Sequence, residues 1–371
     1  MVAAGAGRRA GTMQVPAGGM PVWAWASPLV AWLLLAAAIL TEPPALLLAA
    51  AAAGLVATVF AAVFHAEVVA HRVGEPFGTL VLALSVTVIE VALIVSVMVA
   101  GGPEKAALAR DTVFSAVMII CNGLVGLCLL AGGVRHHEQG FALQGALAAL
   151  AVLAALVTLT LVLPNFVSTP GPAFTVPQLL FAGAASLTLY GAFVFVQTVR
   201  HRDYFLPEGG TEEEHAGPPP ARVALASFGL LLACLVAVVG LAKALTPTLE
   251  RAIDVADVPK SVSGIVIAAL VLMPEGLAAL RAARANRLQT SMNLALGSAL
   301  ATIGLTIPAV ALVSVLIGRP LVLGLPPKDQ VLLALTLLVA VITLGTGRTT
   351  VLQGIVHLVV FASFLFFALI P

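Results

Sequence analysis

The chain has 371 residues, 61% of them hydrophobic and only 9% charged, with a formal net charge of +1. Soluble domains carry about 25% charged residues, so this composition excludes a water-soluble enzyme, a nucleic-acid-binding protein and a disordered chain. A mean hydropathy of +1.11 leaves an all-α polytopic protein whose solvent is mostly the lipid bilayer.

A helix needs about 20 apolar residues to cross a bilayer. In chain order the predicted spans cover 21–41, 43–64, 76–101, 111–133, 141–163, 175–199, 222–246, 260–284, 289–317, 328–346 and 349–370. Turn chemistry separates them, as at Gly101-Gly102-Pro103, Pro164 to Pro172 and Gly318-Arg319-Pro320. Only Glu42-Pro43-Pro44 divides the first two, so the alternative count is ten. Arg8-Arg9 reads as a topology signal rather than part of a signal peptide, because the run that follows is about 20 residues long with no small-residue cleavage site.

With the N-terminus cytoplasmic, the larger share of Lys and Arg falls inside, including Arg72, Arg135, Arg200, Arg281, Arg284, Arg287 and Arg348. Eleven spans then put the C-terminus outside, and the predicted location is a bacterial inner membrane.

The longest polar break, 200–221, holds Glu208, Glu212, Glu213, Glu214 and then three prolines. It splits the chain into a tail with one extra helix (1–42), a first five-helix repeat (43–199) and a second (222–371). Five is odd, so matching helices run in opposite directions, the topology of an inverted-repeat transporter. The glutamates read as a solvated loop, with Ca²⁺ sensing as the sharper alternative; Glu250, Asp254 and Asp257 read as a solvated outer connection. Cys121, Cys128 and Cys234 sit in apolar stretches with no metal-pair spacing and read as packing residues, as does His357.

The acids carry the functional signal. Of seventeen Asp and Glu, two lie deep in spans: Glu90 in the third and Glu275 in the eighth. A carboxylate at mid-bilayer costs at least ~2.5–3.5 kcal/mol, which makes each a functional hypothesis. Glu90 follows Pro76, and Glu275 follows Ser261, by the same interval, about 21 Å of helix. Antiparallel spans therefore bring the two acids to equivalent depths. Thr87 shares a helix face with Glu90, and Ser85 is nearby. Pro274 frees the carbonyl of Leu270 beside Glu275. The following spans add Ser115 and Asn122 on one side, and Ser291, Asn293, Ser298 and Thr302 on the other. Oxygen-only ligands around two carboxylates suit a hard cation, Ca²⁺ or Na⁺, rather than zinc or copper. Glu67 and His71, four apart at a helix end, read as a surface pair, with a gate or proton relay as the sharper alternative.

These segments resemble the calcium/cation antiporter superfamily, and within it the bacterial ChaA-type calcium (sodium)/proton antiporters. The first repeat reads GEPFGTLVLALSVTVIEVALI (Gly74–Ile94) and RDTVFSAVMIICNGLVG (Arg110–Gly126). The second reads SVSGIVIAALVLMPEGLAALRAARANRLQTSMNLALGSALATIGLTIPA (Ser261–Ala309). Helix, acid, loop and helix, occurring twice at 74–133 and 260–317, is that superfamily's α-repeat. The resemblance implies that Glu90 and Glu275 bind the cation and carry protons, helped by Thr87 and Asn122 in the first repeat. In the second, Met273 and Pro274 precede the acid where other branches have hydroxyls. Ser298 or Thr302 stands where sodium/calcium exchangers carry an acid, which argues against sodium-driven calcium exchange.

The expected function is therefore secondary antiport of Ca²⁺ against H⁺ by alternating access, with Na⁺ or K⁺ against H⁺ as the alternative and a passive cation channel as a second class. No cofactor is implied. No P-loop motif is present, so an ion gradient rather than ATP supplies the energy. An intramembrane hydrolase would need a basic or second catalytic partner that the paired glutamates lack.

Overall fold

The computed structural model describes residues 20–41, 43–74, 77–101, 106–206 and 218–370. Arg8, Arg9, Glu42 and the acidic stretch 208–214 lie outside them. Eleven long helices make up nearly all of the described chain: α1 (Val22–Leu40), α2 (Ala45–Val73), α3 (Phe77–Gly101), α4 (Leu108–His136), α5 (Leu143–Asn165), α6 (Val176–Arg200), α7 (Ala221–Val255), α8 (Val262–Arg284), α9 (Leu288–Ile317), α10 (Pro327–Leu344) and α11 (Val351–Leu369). Ten are long and apolar enough to cross a membrane, and α3 contributes the apolar stretch Leu84–Met98.

Two helices outrun their expected ends. α2 continues past residue 64 to Val73, because no glycine or proline interrupts it before Gly74. It thereby carries His65, Glu67 and His71 on its last turns. α7 runs to Val255, so Glu250 and Asp254 lie on a helix rather than in a connection. Pro247 within it only removes the hydrogen bond to the carbonyl four residues earlier. The helical periodicity also hides π-helical turns at Ile119–Leu124 in α4, Thr158–Val162 in α5 and Val196–Arg200 in α6. Such turns add one residue to the ladder and re-aim the side chains that follow.

The packing repeats with a shift of five helices. α3 packs on α9 as α8 packs on α4, and α6 packs on α9 as α11 packs on α4. α2 and α7 lie together, with α1 against both. This is the arrangement of two related halves running in opposite directions, with one extra helix. Close approach depends on small residues. A Cβ on Gly126 would sit 3.0 Å from the Cβ of His357 in α11, and one on Gly304 would sit 2.7 Å from the Cβ of Tyr190 in α6.

A two-residue antiparallel ladder ties the α4–α5 and α10–α11 connections, β1 (Gln139–Gly140) pairing with β2 (Arg348–Thr349). At the opposite end, the α9–α10 connection runs across the bundle as a strap. Its amides at Val322, Gly324 and Leu325 donate to the carbonyls of Ala106, Pro172 and Leu161 at 3.0, 2.9 and 2.9 Å. Arg319 donates to the Met98 carbonyl at 2.9 Å, and Leu321, Leu323 and Leu325 are buried beneath. The strap belongs to the second half, and the carbonyls of Met98, Ala106, Leu161 and Pro172 that it takes belong to the first.

Candidate functional site

Glu275 stands mid-way along α8, directly after Pro274. It accepts a hydrogen bond from Ser298 Oγ of α9 at 2.5 Å. Both residues line a cavity of about 140 Å³, together with Glu67 of α2, Thr87 of α3, Tyr190 of α6 and Thr302 of α9. That space admits several waters or a hydrated cation. Its lining comes from the last half of α2, α6 and α8 and the first half of α3 and α9. The cavity therefore sits toward the end of the bundle that carries Arg72, Arg281, Arg284 and Arg287, while the strap crosses the other end.

Glu90 occupies a different environment. It is 2% exposed and does not line the cavity. Its carboxylate lies beside the hydroxyls of Thr302 and Thr306 on α9, yet neither of its oxygens closes a hydrogen bond of good geometry. Thr306 Oγ1 is likewise buried without a hydrogen-bond partner among the described residues. An unpaired buried acceptor costs about 1–3 kcal/mol, more when it is charged. Ser298, Thr302 and Thr306 recur every four residues, so they form one stripe on α9, rising about 6 Å per step. Glu275 meets the first member, Glu90 the second and third, and Thr302 touches both the cavity and Glu90.

The sequence-derived residues thus divide. Glu90, Glu275, Thr87, Ser298, Thr302 and Glu67 are brought around this stripe and cavity. His71 is exposed on the last turns of α2 and does not reach the cavity. Ser85 Oγ donates to the Val81 carbonyl of its own helix at 2.7 Å, and Ser115 to Asp111 in the same way. Asn122, inside the π-helical turn of α4, faces α10 and α11 instead. Its amide nitrogen donates to Thr336 Oγ1 at 2.8 Å, and its oxygen lies 3.3 Å from His357 Nδ1. Tyr190 and Thr306 were not picked out from the sequence. Thr306 could have been, since it lies one helical turn beyond Thr302 on the same face. Tyr190 carried no signal of its own.

The three cysteines are buried and form no disulfide. Among the described residues no group of three His, Cys, Asp or Glu stands together; the stripe and the two glutamates offer oxygen atoms only, the donor type that suits a hard cation.

The sodium/calcium exchanger protein family matches residues 44–199 and 226–370, one segment in each half. A Sinorhizobium fredii protein, y4hA, is 51% identical over 368 residues, covering 97% of this chain and 99% of the relative. The sodium-potassium/proton antiporter ChaA of Escherichia coli is 38% identical over 316 residues, 84% of this chain and 86% of the relative. The solved structure of native YfkE superposes with a TM-score of 0.71 at 16% identity, covering 94% of this chain and 99% of that one, which marks a shared fold.

Proposed function

Because the chain belongs to the sodium/calcium exchanger protein family, an integral membrane family of cation exchangers, we propose that it is a secondary antiporter exchanging Ca²⁺ for H⁺, with Glu90 and Glu275 alternately holding cation and protons. The observation that carries this reading is the pair of acids along one hydroxyl stripe, one at an aqueous cavity and one sealed behind it. Thr87, Ser298 and Thr302 supply neutral oxygens. Glu67, the second acid lining the cavity, attracts and relays the cation or proton.

The coupling follows from charge. Two ionised carboxylates give an empty site of charge −2, and each uncompensated charge costs at least ~2.5–3.5 kcal/mol at mid-bilayer. One Ca²⁺ or two H⁺ neutralises the pair. Loaded states reorient and the empty state does not, so movement of one ion obliges return of the other. Since protons and cation compete for the same oxygens, cation affinity rises with pH. With the Arg-rich end in the cytoplasm, the cavity faces inward and the strap closes the outside.

A second reading, Na⁺ or K⁺ with one proton retained in the pair, is favoured by the name of the Escherichia coli relative at 38% identity. Counter-flow in proteoliposomes separates the two: proton release is measured on addition of Ca²⁺, Na⁺ or K⁺ to the wild-type protein, Glu90→Gln and Glu275→Gln. Exchange lost in both variants is expected. Full activity in either would end the proposal for that acid, and cation flux without proton release would make the protein a channel.

A further inference from the structure

A proline inside a helix has no N–H to give, so the carbonyl four residues earlier loses its donor. Pro28 lies inside α1, and the carbonyl it frees is that of Ala24. The donor comes from another helix. His65 of α2 is fully buried, and its Nε2 lies 3.0 Å from the Ala24 carbonyl oxygen. A carbonyl only accepts, so Nε2 carries the hydrogen. Nδ1 is buried with no hydrogen-bond partner among the described residues, which suits a lone pair and not a second N–H. The ring meets Phe64 in a T-shaped contact at 5.5 Å, and Phe64 meets Trp23 of α1 in the same way at 5.2 Å. Half a turn from His65, on the opposite side of α2, Val63 and Glu67 line the cavity. The bond to Ala24 therefore fixes the helix that presents Glu67.

We propose that His65 is a proton-sensitive staple: neutral, it pins the cavity-lining helix α2 to α1 through the carbonyl that Pro28 frees; protonated, it releases α2. This goes beyond the exchanger reading and rests on it only for the consequence in transport. A proton on Nδ1 strengthens the bond to Ala24, but it places a full charge and a second N–H in a sealed pocket. Burying an unpaired charge costs more than one hydrogen bond returns. α1 contains no charged residue. Of the ionisable groups on the helices packed against α2, Glu67 and His71 share its own helix, Arg222 opens α7, Glu90 and Glu275 face the α9 stripe from α3 and α8, and Arg281 and Arg284 end α8. None of them bonds to the ring among the described residues. A charged ring is therefore drawn toward the end of α2, where His71 is exposed about 9 Å further along. With the Arg-rich end in the cytoplasm, the staple senses cytoplasmic pH. Protons brought in by exchange loosen α2 and shift Glu67 at the cavity, so the transported proton limits its own entry.

Two experiments on the full chain test this. All three tryptophans, Trp23, Trp25 and Trp32, lie in α1, so intrinsic emission reports on that helix. In detergent, wild-type emission is expected to change between about pH 7.5 and about pH 5. His65→Gln, whose amide can donate to Ala24 and takes no proton, is expected to stay flat. A flat wild type, or an equal change in His65→Gln, would overturn the staple. The second experiment is a cycle in proteoliposomes. His65→Leu is expected to raise the KM for the cation about tenfold, and His65→Gln to stay within about twofold of wild type. Pro28→Ala gives the Ala24 carbonyl a donor from its own helix, so adding His65→Leu to Pro28→Ala is expected to move KM by less than about twofold. Equal losses in both backgrounds, or a wild-type KM in His65→Leu, overturn the role of the freed carbonyl. The emission experiment needs no transport, so a titrating staple in a protein that releases no protons on cation addition keeps this proposal and removes the antiport.

Discussion

Ser298→Ala is the sharpest probe of the open end of the stripe. The Ser298 hydroxyl donates to Glu275 Oε2 at 2.5 Å, and a hydrogen bond to a charged group contributes about 1.5–3 kcal/mol. The lower end applies, because both residues line the cavity and water can take the vacated place. About 1.4 kcal/mol is a factor of ten, so the KM for the cation rises roughly tenfold at fixed pH, while the maximal exchange rate changes little. The assay is proton release against cation concentration in proteoliposomes, with size-exclusion behaviour as the folding control. The strongest form is a double-mutant cycle. Once Glu275→Gln has removed the carboxylate, Ser298→Ala has nothing left to disturb. The two effects must therefore fall far short of adding when each variant's cation binding is measured directly. Additive effects, or a KM within twofold of wild type in the single variant, would show that the hydroxyl and the carboxylate do not act together on the ion.

Three further substitutions address the surroundings. Arg110 makes a 2.7 Å ion pair with Asp111 and donates to the Gly324 carbonyl of the strap at 3.1 Å; Arg110→Gln is expected to loosen the strap by about 1–2 kcal/mol, read as roughly ten-fold faster amide exchange over residues 321–325, and unchanged exchange there would remove Arg110 as its anchor. Asn122→Ala and His357→Ala break a buried polar cluster away from the cavity, so each is expected to cost about 1–3 kcal/mol of stability in thermal unfolding while leaving the cation KM within about twofold; a ten-fold KM change in Asn122→Ala with normal stability would return that residue to the cation's ligand shell.

How far the chain is readable from its sequence depends on what kind of signal each feature leaves. Spans are legible because hydrocarbon punishes every polar residue, so the apolar runs of α2, α5 and α11 stand out at once. The ends of α2 and α7 are less so, since a helix can continue into water without an apolar pattern, and only Gly74 marks where α2 stops. Glu90 and Glu275 are conspicuous because their cost is local and large. The direction in which a side chain points is another matter. Asn122 looks like a ligand by spacing, but it lies in a π-helical turn that turns its amide toward Thr336. Thr306 is hidden for the opposite reason: a threonine in an apolar helix is ordinary, and only its place beside Glu90 singles it out. Equal depth in the sequence likewise says nothing about exposure. Glu275 at the cavity and Glu90 behind it are distinguishable only once the helices are packed.

That inequality between the two acids is what a two-sided exchanger requires. If the halves were packed identically, both acids would meet water at once, one from each end, and the bundle would hold an open pore. In the structure one acid has the cavity and the other is sealed; on the exchanger reading proposed above, the strap from α9–α10 across Met98, Ala106 and Leu161 would close the second path. None of the ion pairs formed among the described residues includes either glutamate. A lysine there would let the empty site reorient and would turn obligate exchange into leak. On that reading, the sealed carboxylate of Glu90 would carry a cost in one resting conformation that an arriving ion or proton relieves. Relief on loading, and its absence when empty, is the free-energy difference that can drive the two halves to trade places.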